Sequence, residues 1–229
     1  LVVKIYTCAF GLQSYLVMGV HRRWSKFRPA LLQPMTLLDM VVYHKERHSL
    51  QAVKEMRIAL PYRNIPFDIL KGSVSVFVNE LLYTAIREEE PHPALFDFIW
   101  NSMAALDDTD GSVAMFPLQF MTRLMHYTGC FPQCNHSAQT PFFDLREGCY
   151  QATVPAHPQY LRNEESEWLS RLLALARDES GPILPRSGEG TVPLNAMQRS
   201  HLLGILMIYY RLHLPWFRDL QSNHLLRDL

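Results

Sequence analysis

The sequence predicts an α+β protein in which a small antiparallel β-barrel precedes a helical region. Short β-branched and aromatic runs recur at close spacing up to Pro61, as they do in small all-β domains. After Pro66 the apolar residues recur at every third or fourth position, which is the period of a helix. Apolar residues make up 48 % of the 229, enough for a packed core.

The strands and helices follow in order along the chain. The strand runs lie at residues 2–6, 15–20, 36–43 and 50–58, with a turn at Gly11. Helical spacing of apolar residues places helices at 70–81, 95–106, 116–127, 168–176 and 197–212. We expect Asp68 near the start of the first helix and Asn163 as the cap of the fourth.

Two connections between the helices carry further expectations. The segment 107–111 contains three aspartates but has Pro117 where a calcium loop needs an acid, so it predicts a helix connection with a capping carboxylate. Residues 130–160 are irregular, and 142–150 predicts a small hairpin that turns at Gly148.

The charge of the chain is divided unevenly, although the total is zero. Residues 1–70 contain ten Lys or Arg against four Asp or Glu, which gives +6, and residues 71–229 carry −6. Such asymmetry predicts a basic module that faces a polyanion, joined to a module of another kind.

The densest basic stretch, residues 21–28, alternates cations with aromatic rings. Barrels of the OB type use such loops to hold single strands, since the cations neutralise phosphates and the rings stack on bases. The alternative is a solvated loop whose charges only aid solubility. The candidate DNA-binding residues are Arg22, Arg23, Trp24, Lys26, Phe27 and Arg28, with Lys45 and Arg47 forming a second patch.

The cysteines admit two interpretations. Cys130, Cys134 and Cys149, with His136 nearby, could supply four zinc ligands, but structural zinc normally uses two tight ligand pairs and the second pair is missing. The sequence therefore favours free thiols and no cofactor. It also lacks a phosphate loop, a nucleophile elbow and a dinucleotide fingerprint, so we expect no enzyme and no catalytic residues, although a zinc-dependent enzyme stays open.

Location can also be inferred from the sequence. Four cysteines without a secretory leader indicate reduced thiols in a cytoplasm. No apolar run approaches the roughly 20 residues of a membrane helix, so we expect no membrane partner. Because the chain opens inside a strand pattern and without methionine, we expect that an upstream piece is absent.

Four stretches carry a family resemblance. They are Leu-Leu-Gln-Pro-Met-Thr-Leu-Leu at 31–38, Ile-Pro-Phe-Asp-Ile at 65–69, Arg-Glu-Glu-Glu-Pro-His-Pro-Ala-Leu-Phe-Asp-Phe at 87–98 and Tyr-Tyr-Arg-Leu-His-Leu-Pro at 209–215. In sequence and in order they resemble the RecO family of bacterial recombination mediators, especially its Bacteroidetes-type members. The similarity runs from Leu1 to the C-terminus.

The resemblance implies an N-terminal OB barrel at residues 1–63, incomplete because Leu1 aligns with the family's second strand. It implies an all-α helical domain at 64–229 with a zinc-finger-like insert at about 130–160. The implied activity is binding single- and double-stranded DNA, annealing complementary strands and helping to load the RecA recombinase. The implied partners are RecR and the C-terminal tail of the single-stranded DNA-binding protein, and the implied location is the nucleoid.

Two expectations follow from comparing this chain with the family pattern. Zinc-binding relatives carry two C-x-x-C pairs in the insert, and their absence here predicts a degenerate site replaced by packing around Phe142, Phe143 and Tyr150.

A second hypothesis makes the chain a protein-interaction scaffold whose DNA contact is incidental. In that case Arg123 or Arg211 would bind a partner's carboxylate, although both could be ordinary surface residues.

Overall fold

The computed structural model describes residues 1–18, 29–45, 48–87, 89–177, 183–184 and 194–226. Within them a four-stranded sheet comes first and five α-helices follow, with a three-stranded sheet between the third and fourth helices. The α+β class predicted from the sequence is confirmed. No helix of the described residues is long and apolar enough to cross a membrane.

The first sheet is open in the described part of the chain. Its strands are β1 (Val2–Thr7), β2 (Gly11–Leu16), β3 (Leu37–Tyr43) and β4 (Leu50–Leu60). They lie in the order β1-β2-β4-β3, with β2 and β4 parallel and the other neighbours antiparallel. The second strand starts earlier than the sequence predicts, because β1 and β2 form a tight hairpin in which Tyr6 pairs with Leu12.

One face of this sheet builds a small core of its own. Strand alternation places side chains of every second residue on that face, where they leave water. Fully or almost fully buried there are Tyr15, Val17, Val53 and Met56. A short 3₁₀ helix, Pro29–Leu32, adds Leu31 and Leu32 to this core before the chain enters β3.

The helices are α1 (Ile69–Ala85), α2 (Pro93–Asp108), α3 (Phe116–Tyr127), α4 (Asn163–Ala176) and α5 (Ala196–His213). All five agree with the predicted segments, since each buries the apolar stripe that revealed it. They share the main core, in which Phe77, Phe116, Phe120 and Tyr210 are fully buried. The Tyr210 hydroxyl donates to the carbonyl of Met121 at 2.8 Å and so ties α5 to α3.

Side chains define the ends of several helices. The Asp68 carboxylate accepts from the backbone N–H groups of Leu70 and Lys71, so this predicted cap is correct. The predicted cap of α4 is wrong: Arg162 holds the cap position, and Asn163 is the first helical residue, with φ of 51°. An asparagine tolerates this left-handed conformation because its short polar side chain clashes little with the backbone.

A buried carboxylate joins the sheet to the helices. Asp107, the penultimate residue of α2, accepts from three successive backbone N–H groups, of Arg63, Asn64 and Ile65, each at 2.8 Å. Lys71 is only 5 % exposed, and its ammonium donates to the carbonyls of Asp107 and Thr109 at 2.8 and 2.6 Å. We call this set of contacts the Asp107 clasp, and it fixes the segment that leads from β4 to α1.

The charge state of the clasp follows from its surroundings. Burial raises the pKa of the Asp107 carboxyl, but the three N–H donors and the Lys71 charge outweigh burial and hold the pKa below its usual range. The carboxylate is therefore ionised at neutral pH, as its role as a triple acceptor requires.

A second contact joins the two regions at the β1–β2 turn. Gly11 lies so close to the loop after α1 that a Cβ atom would stand 2.3 Å from the Glu90 carbonyl oxygen. The Gln13 side chain donates to the Glu89 carbonyl at 3.3 Å. Only glycine allows this approach together with the φ of 62° that the turn adopts.

The insert between α3 and α4 is a sheet of three short antiparallel strands, β5 (Phe142–Asp144), β6 (Cys149–Gln151) and β7 (Tyr160–Leu161), in the order β6-β5-β7. The predicted hairpin at 142–150 is present. Two α5 side chains anchor the insert, since Tyr209 donates to the Cys130 carbonyl and His213 to that of Leu145, both at 2.9 Å.

Replacing Asp107 by asparagine should lower the free energy of unfolding at pH 7 by about 2–4 kcal/mol, because an amide cannot accept three N–H bonds and leaves Lys71 without its counter-charge. Since the folded-state pKa is lowered, this stabilisation is present above the pKa of an unfolded aspartate, about 3.9, and is lost as the pH falls through the folded value. Urea unfolding at pH 7 and pH 3.5 measures both effects. The exposed neighbour Asp108→Asn is the control, and equal losses for the two variants would contradict the clasp.

Gly11→Ala should destabilise the protein more than Gly129→Ala does. Both glycines have positive φ, so alanine costs each about 1–2 kcal/mol. Gly129 has open space around its Cβ position, whereas Gly11 would collide with the loop at Glu90. Thermal unfolding of the two variants isolates the collision, and an equal loss at both positions would show that the β1–β2 turn does not depend on this contact.

Candidate nucleic-acid interface

The predicted basic and aromatic segment, residues 21–28, lies outside the described residues. Arg22, Arg23, Trp24, Lys26, Phe27 and Arg28 belong to the undescribed range 19–28, and Arg47 to the range 46–47. On one side the chain leaves the sheet through Val17, which is buried, and Met18, which is 66 % exposed. On the other side it resumes at the 3₁₀ helix that packs Leu31 and Leu32 on the small core. Both flanks of the segment are therefore attached to the sheet.

Lys45 is the predicted DNA-binding residue that the structure does describe. It is exposed in the loop after β3, and the buried Gln51 side chain fixes its backbone. The Lys45 N–H donates to Gln51 Oε1 at 2.8 Å, and Gln51 Nε2 donates to the carbonyls of Lys45 and His48. One side chain thus sets the shape of the loop, while the Lys45 ammonium has no ion-pair partner within the described part of the chain.

An aromatic pair stands beside this loop. His44 stacks on Phe10 of the β1–β2 turn, with ring centroids 3.9 Å apart and planes 10° apart. The β1–β2 turn and the β3–β4 loop therefore meet at one end of the sheet. Lys45 follows His44, one of the two stacked rings, in the sequence. This combination of cation and ring suits a nucleic-acid strand, although the stacked faces of the pair already cover each other.

Three other cations of the first 70 residues, Lys4, Lys54 and Arg57, have partners. Arg57 donates through Nε and Nη2 to the Asp39 carboxylate at 2.8 and 2.6 Å, in a register where the two residues face each other across β3 and β4. Lys54 lies 3.9 Å from Glu55. These two cations and two carboxylates leave the β3–β4 strands without a net charge. Lys4 lies over the ring of Tyr83 on α1, 5.3 Å from its centroid.

The two arginines expected to meet a partner's carboxylate differ in setting. Arg123 is only 7 % exposed and donates to the Leu175 carbonyl near the end of α4, at 3.3 Å, so it packs α3 against α4. Arg211 is exposed at the end of α5 and forms an ion pair with Asp219 at 2.9 Å.

The three candidate cysteines lie in or beside the insert. Among the described residues, no group of three or more His, Cys, Asp or Glu side chains is arranged to hold a metal ion. Cys130 is buried with its Sγ 3.3 Å from the Thr128 hydroxyl, and burial raises the pKa of the Cys130 and Cys134 thiols. His136 meets the edge of the Tyr150 ring instead.

Hydrogen bonds organise the insert close to these cysteines. The Asn135 side chain donates to the Tyr150 carbonyl and accepts from the Tyr150 N–H, both at 2.9 Å, which copies the pairing of one strand with another. Phe143 and Tyr150, two of the three residues expected to fill this place, are almost fully buried, and Phe142 is half-buried.

Comparison with known proteins identifies the family. The family description "Recombination protein O N terminal" matches residues 1–62, and "Recombination protein O C terminal" matches residues 66–221. Proteins named DNA repair protein RecO are 30 % identical over 228 residues in Phocaeicola vulgatus, 31 % over 231 in Flavobacterium psychrophilum and 31 % over 229 in Bacteroides fragilis. Each match covers 100 % of this chain and 91 % of the relative. The chain, with the sheet, the five helices and the insert described above, therefore belongs to the RecO family.

Proposed function

We propose that this chain is a DNA repair protein that binds single- and double-stranded DNA, anneals complementary strands and assists in loading a recombinase. The names of its relatives support the repair role. The observation that carries the DNA contact is the charge of +6 in residues 1–70, against −6 in the remainder. Annealing needs such a module, because two polyanions approach each other only after their phosphates are screened.

The geometry supports a particular place for this contact. The β3–β4 strands have no net charge, since Arg57 and Lys54 each have a carboxylate nearby. Lys45, in contrast, is exposed and has no ion-pair partner among the described residues. We therefore assign the contact to the segment 21–28 and to the β3–β4 loop around Lys45. The outward side chains of β4 are excluded from the proposed site.

The proposed partners are RecR and the C-terminal tail of the single-stranded DNA-binding protein. We propose that the tail binds to the helical region. Of the two candidate arginines, Arg211 suits a carboxylate better. Its side chain is 45 % exposed, and an exposed pair with Asp219 contributes little stability, so an incoming carboxylate can replace that partner. Arg123 is engaged inside the helical core.

Reversing Arg22, Arg23 and Lys26 to glutamate should weaken binding to a single-stranded oligonucleotide and flatten its dependence on salt. Losing three phosphate contacts lowers the slope of log affinity against log salt by about 2 for a single strand. Fluorescence anisotropy at several salt concentrations measures both quantities, and Lys45→Glu should give a smaller change of the same sign.

The matched control reverses three exposed arginines of the helical region, Arg146, Arg162 and Arg218, and alters the net charge equally. If the two triple variants lose affinity to the same extent, total charge rather than a site governs binding. If the first triple variant keeps both its affinity and its slope, the assignment of the segment 21–28 is wrong.

Arg211→Glu should reduce capture of a peptide with the tail sequence, because the new carboxylate repels the terminal carboxylate of the tail. A pull-down repeated after nuclease treatment measures this role separately from DNA binding. Arg218→Glu, an exposed neighbour, is the control and should leave capture unchanged. Equal capture by both variants would exclude Arg211 from the tail site.

A further inference from the structure

An exposed apolar surface lies at the start of α1. Phe67 and Ile69 are each 85 % exposed, and Leu70 and Val76 are exposed as well. Ser73 links Ile69 to Val76 along one side of the helix, because residues three and four apart are neighbours on a helix surface. We call Phe67, Ile69, Leu70 and Val76 the α1 patch. Neighbouring exposed apolar residues with a polar rim are typical of an interaction surface.

The core of the protein does not need these side chains. The opposite side of α1 already fills the core with Val74, Phe77 and Val78, all fully buried. A helix that packs one face on a core normally carries charged or polar residues on its other face. In α1 all the exposed residues are apolar or aromatic. Its two charged residues are engaged, since Lys71 belongs to the Asp107 clasp and Glu80 accepts from two N–H groups of the C-terminal segment.

Carboxylates form the rim of the α1 patch. Through the Asp107 clasp, the loop that follows α2 lies against the first turn of α1. Two exposed carboxylates, of Asp108 and Asp110, belong to this loop, and a third, of Asp68, adjoins the patch in the sequence. None of these three has an ion-pair partner within the ranges that the structure describes. Arg63, which is exposed on the same segment, offsets one of the three charges.

This negative charge selects among the possible occupants. A symmetric contact with a second copy would bring each carboxylate rim against its equivalent, and a nucleic acid would bring phosphates to it, so both are repelled. The positive end of α1 does not reverse this, because Asp68 already accepts from the N–H groups of Leu70 and Lys71. A suitable occupant therefore buries apolar side chains and places cations beside the carboxylates.

The shape of the α1 patch favours a helix as the occupant. Ile69 and Val76 are seven residues apart, which is about 10 Å along α1. The small residues Gly72 and Ser73 lie between them and are only partly buried. A large apolar side chain of a second helix fits between two such ridges. Strand addition is excluded, because the backbone groups of α1 are bonded within the helix.

We propose that the α1 patch docks an amphipathic helix of a partner protein whose apolar stripe is flanked by lysine or arginine. The stripe covers Phe67, Ile69 and Val76, and the flanking cations reach the carboxylates of Asp108 and Asp110. The proposed DNA contact uses none of these residues, so the docking surface does not rest on the proposed function.

A synthetic peptide of about 18 residues tests the surface, since shorter helices are marginal in water. It carries leucine at alternating third and fourth positions and lysine on both flanks. Fluorescence anisotropy at about 0.15 M salt should show saturable binding, and bound peptide should slow amide hydrogen exchange in residues 66–72. The same peptide with glutamate in place of lysine should bind at least about tenfold more weakly. Equal binding of the two peptides would overturn the proposal.

Two pairs of serine substitutions locate the apolar contact. Phe67→Ser combined with Ile69→Ser should weaken the lysine peptide at least about tenfold. Met197→Ser combined with Val154→Ser removes exposed apolar side chains from α5 and the insert and should leave binding unchanged. All four residues are exposed, so both variants should keep the thermal midpoint of the parent. Equal binding by the two variants would show that the α1 patch is not the docking surface.

A matched pair of charge variants tests the rim. Asp108→Asn combined with Asp110→Asn should weaken the lysine peptide and flatten its dependence on salt. Glu147→Gln combined with Glu164→Gln alters the net charge equally at exposed positions elsewhere and should have less effect on both. Equal losses would mean that total charge governs binding and would overturn the proposal. Sedimentation that shows self-association abolished by Ile69→Ser would also overturn it, because a second copy would then be the occupant.

Discussion

The joining of the sheet to the helices depends on the Asp107 carboxylate. The N–H groups of residues 63–65 belong to neither a strand ladder nor a helix, and as partly buried donors they would be costly without an acceptor. One ionised side chain satisfies all three, and Lys71 balances its charge from α1. Because the same residues lead from β4 into α1, this contact ties the end of the sheet to both α1 and α2.

The insert shows how a small sheet can be held in place by side chains that imitate or bind the backbone. Asn135 pairs with Tyr150 as a strand residue would, and Asp144 accepts from the N–H groups of Arg146 and Glu147 at the β5–β6 turn. Tyr209 and His213 then fix the insert to α5. Short strands of two or three residues are unstable alone, so this attachment to the helical core is what allows them to form.

Local patterns predicted the fold well and long-range contacts poorly. Helical periodicity and the Asp68 cap lie within a few residues, and the helices matched their predicted segments. The start of β2 depends on the register of the β1–β2 hairpin. The pairing of Arg57 with Asp39 depends on which residues face each other across β3 and β4. Neither can be read from the order of residues along the chain. The candidate site shows the same difference between local and long-range information. The charge of Lys45 is visible in the sequence, whereas the hydrogen bonds by which Gln51 shapes its loop are visible only in the structure. The basic segment 21–28 lies outside the described residues and stays a prediction.

The distance along the chain between the two halves of the clasp has a consequence for biosynthesis. Asp107 follows Arg63 by 44 residues and Ile65 by 42. A ribosome adds about 5–20 residues per second, so Asp107 is synthesised roughly 2–9 s after the N–H donors of residues 63–65. During that interval α1 is completed, but α2, which carries Asp107, is not. A nascent chain therefore contains all four strands of the first sheet before it contains the carboxylate that ties them to α2.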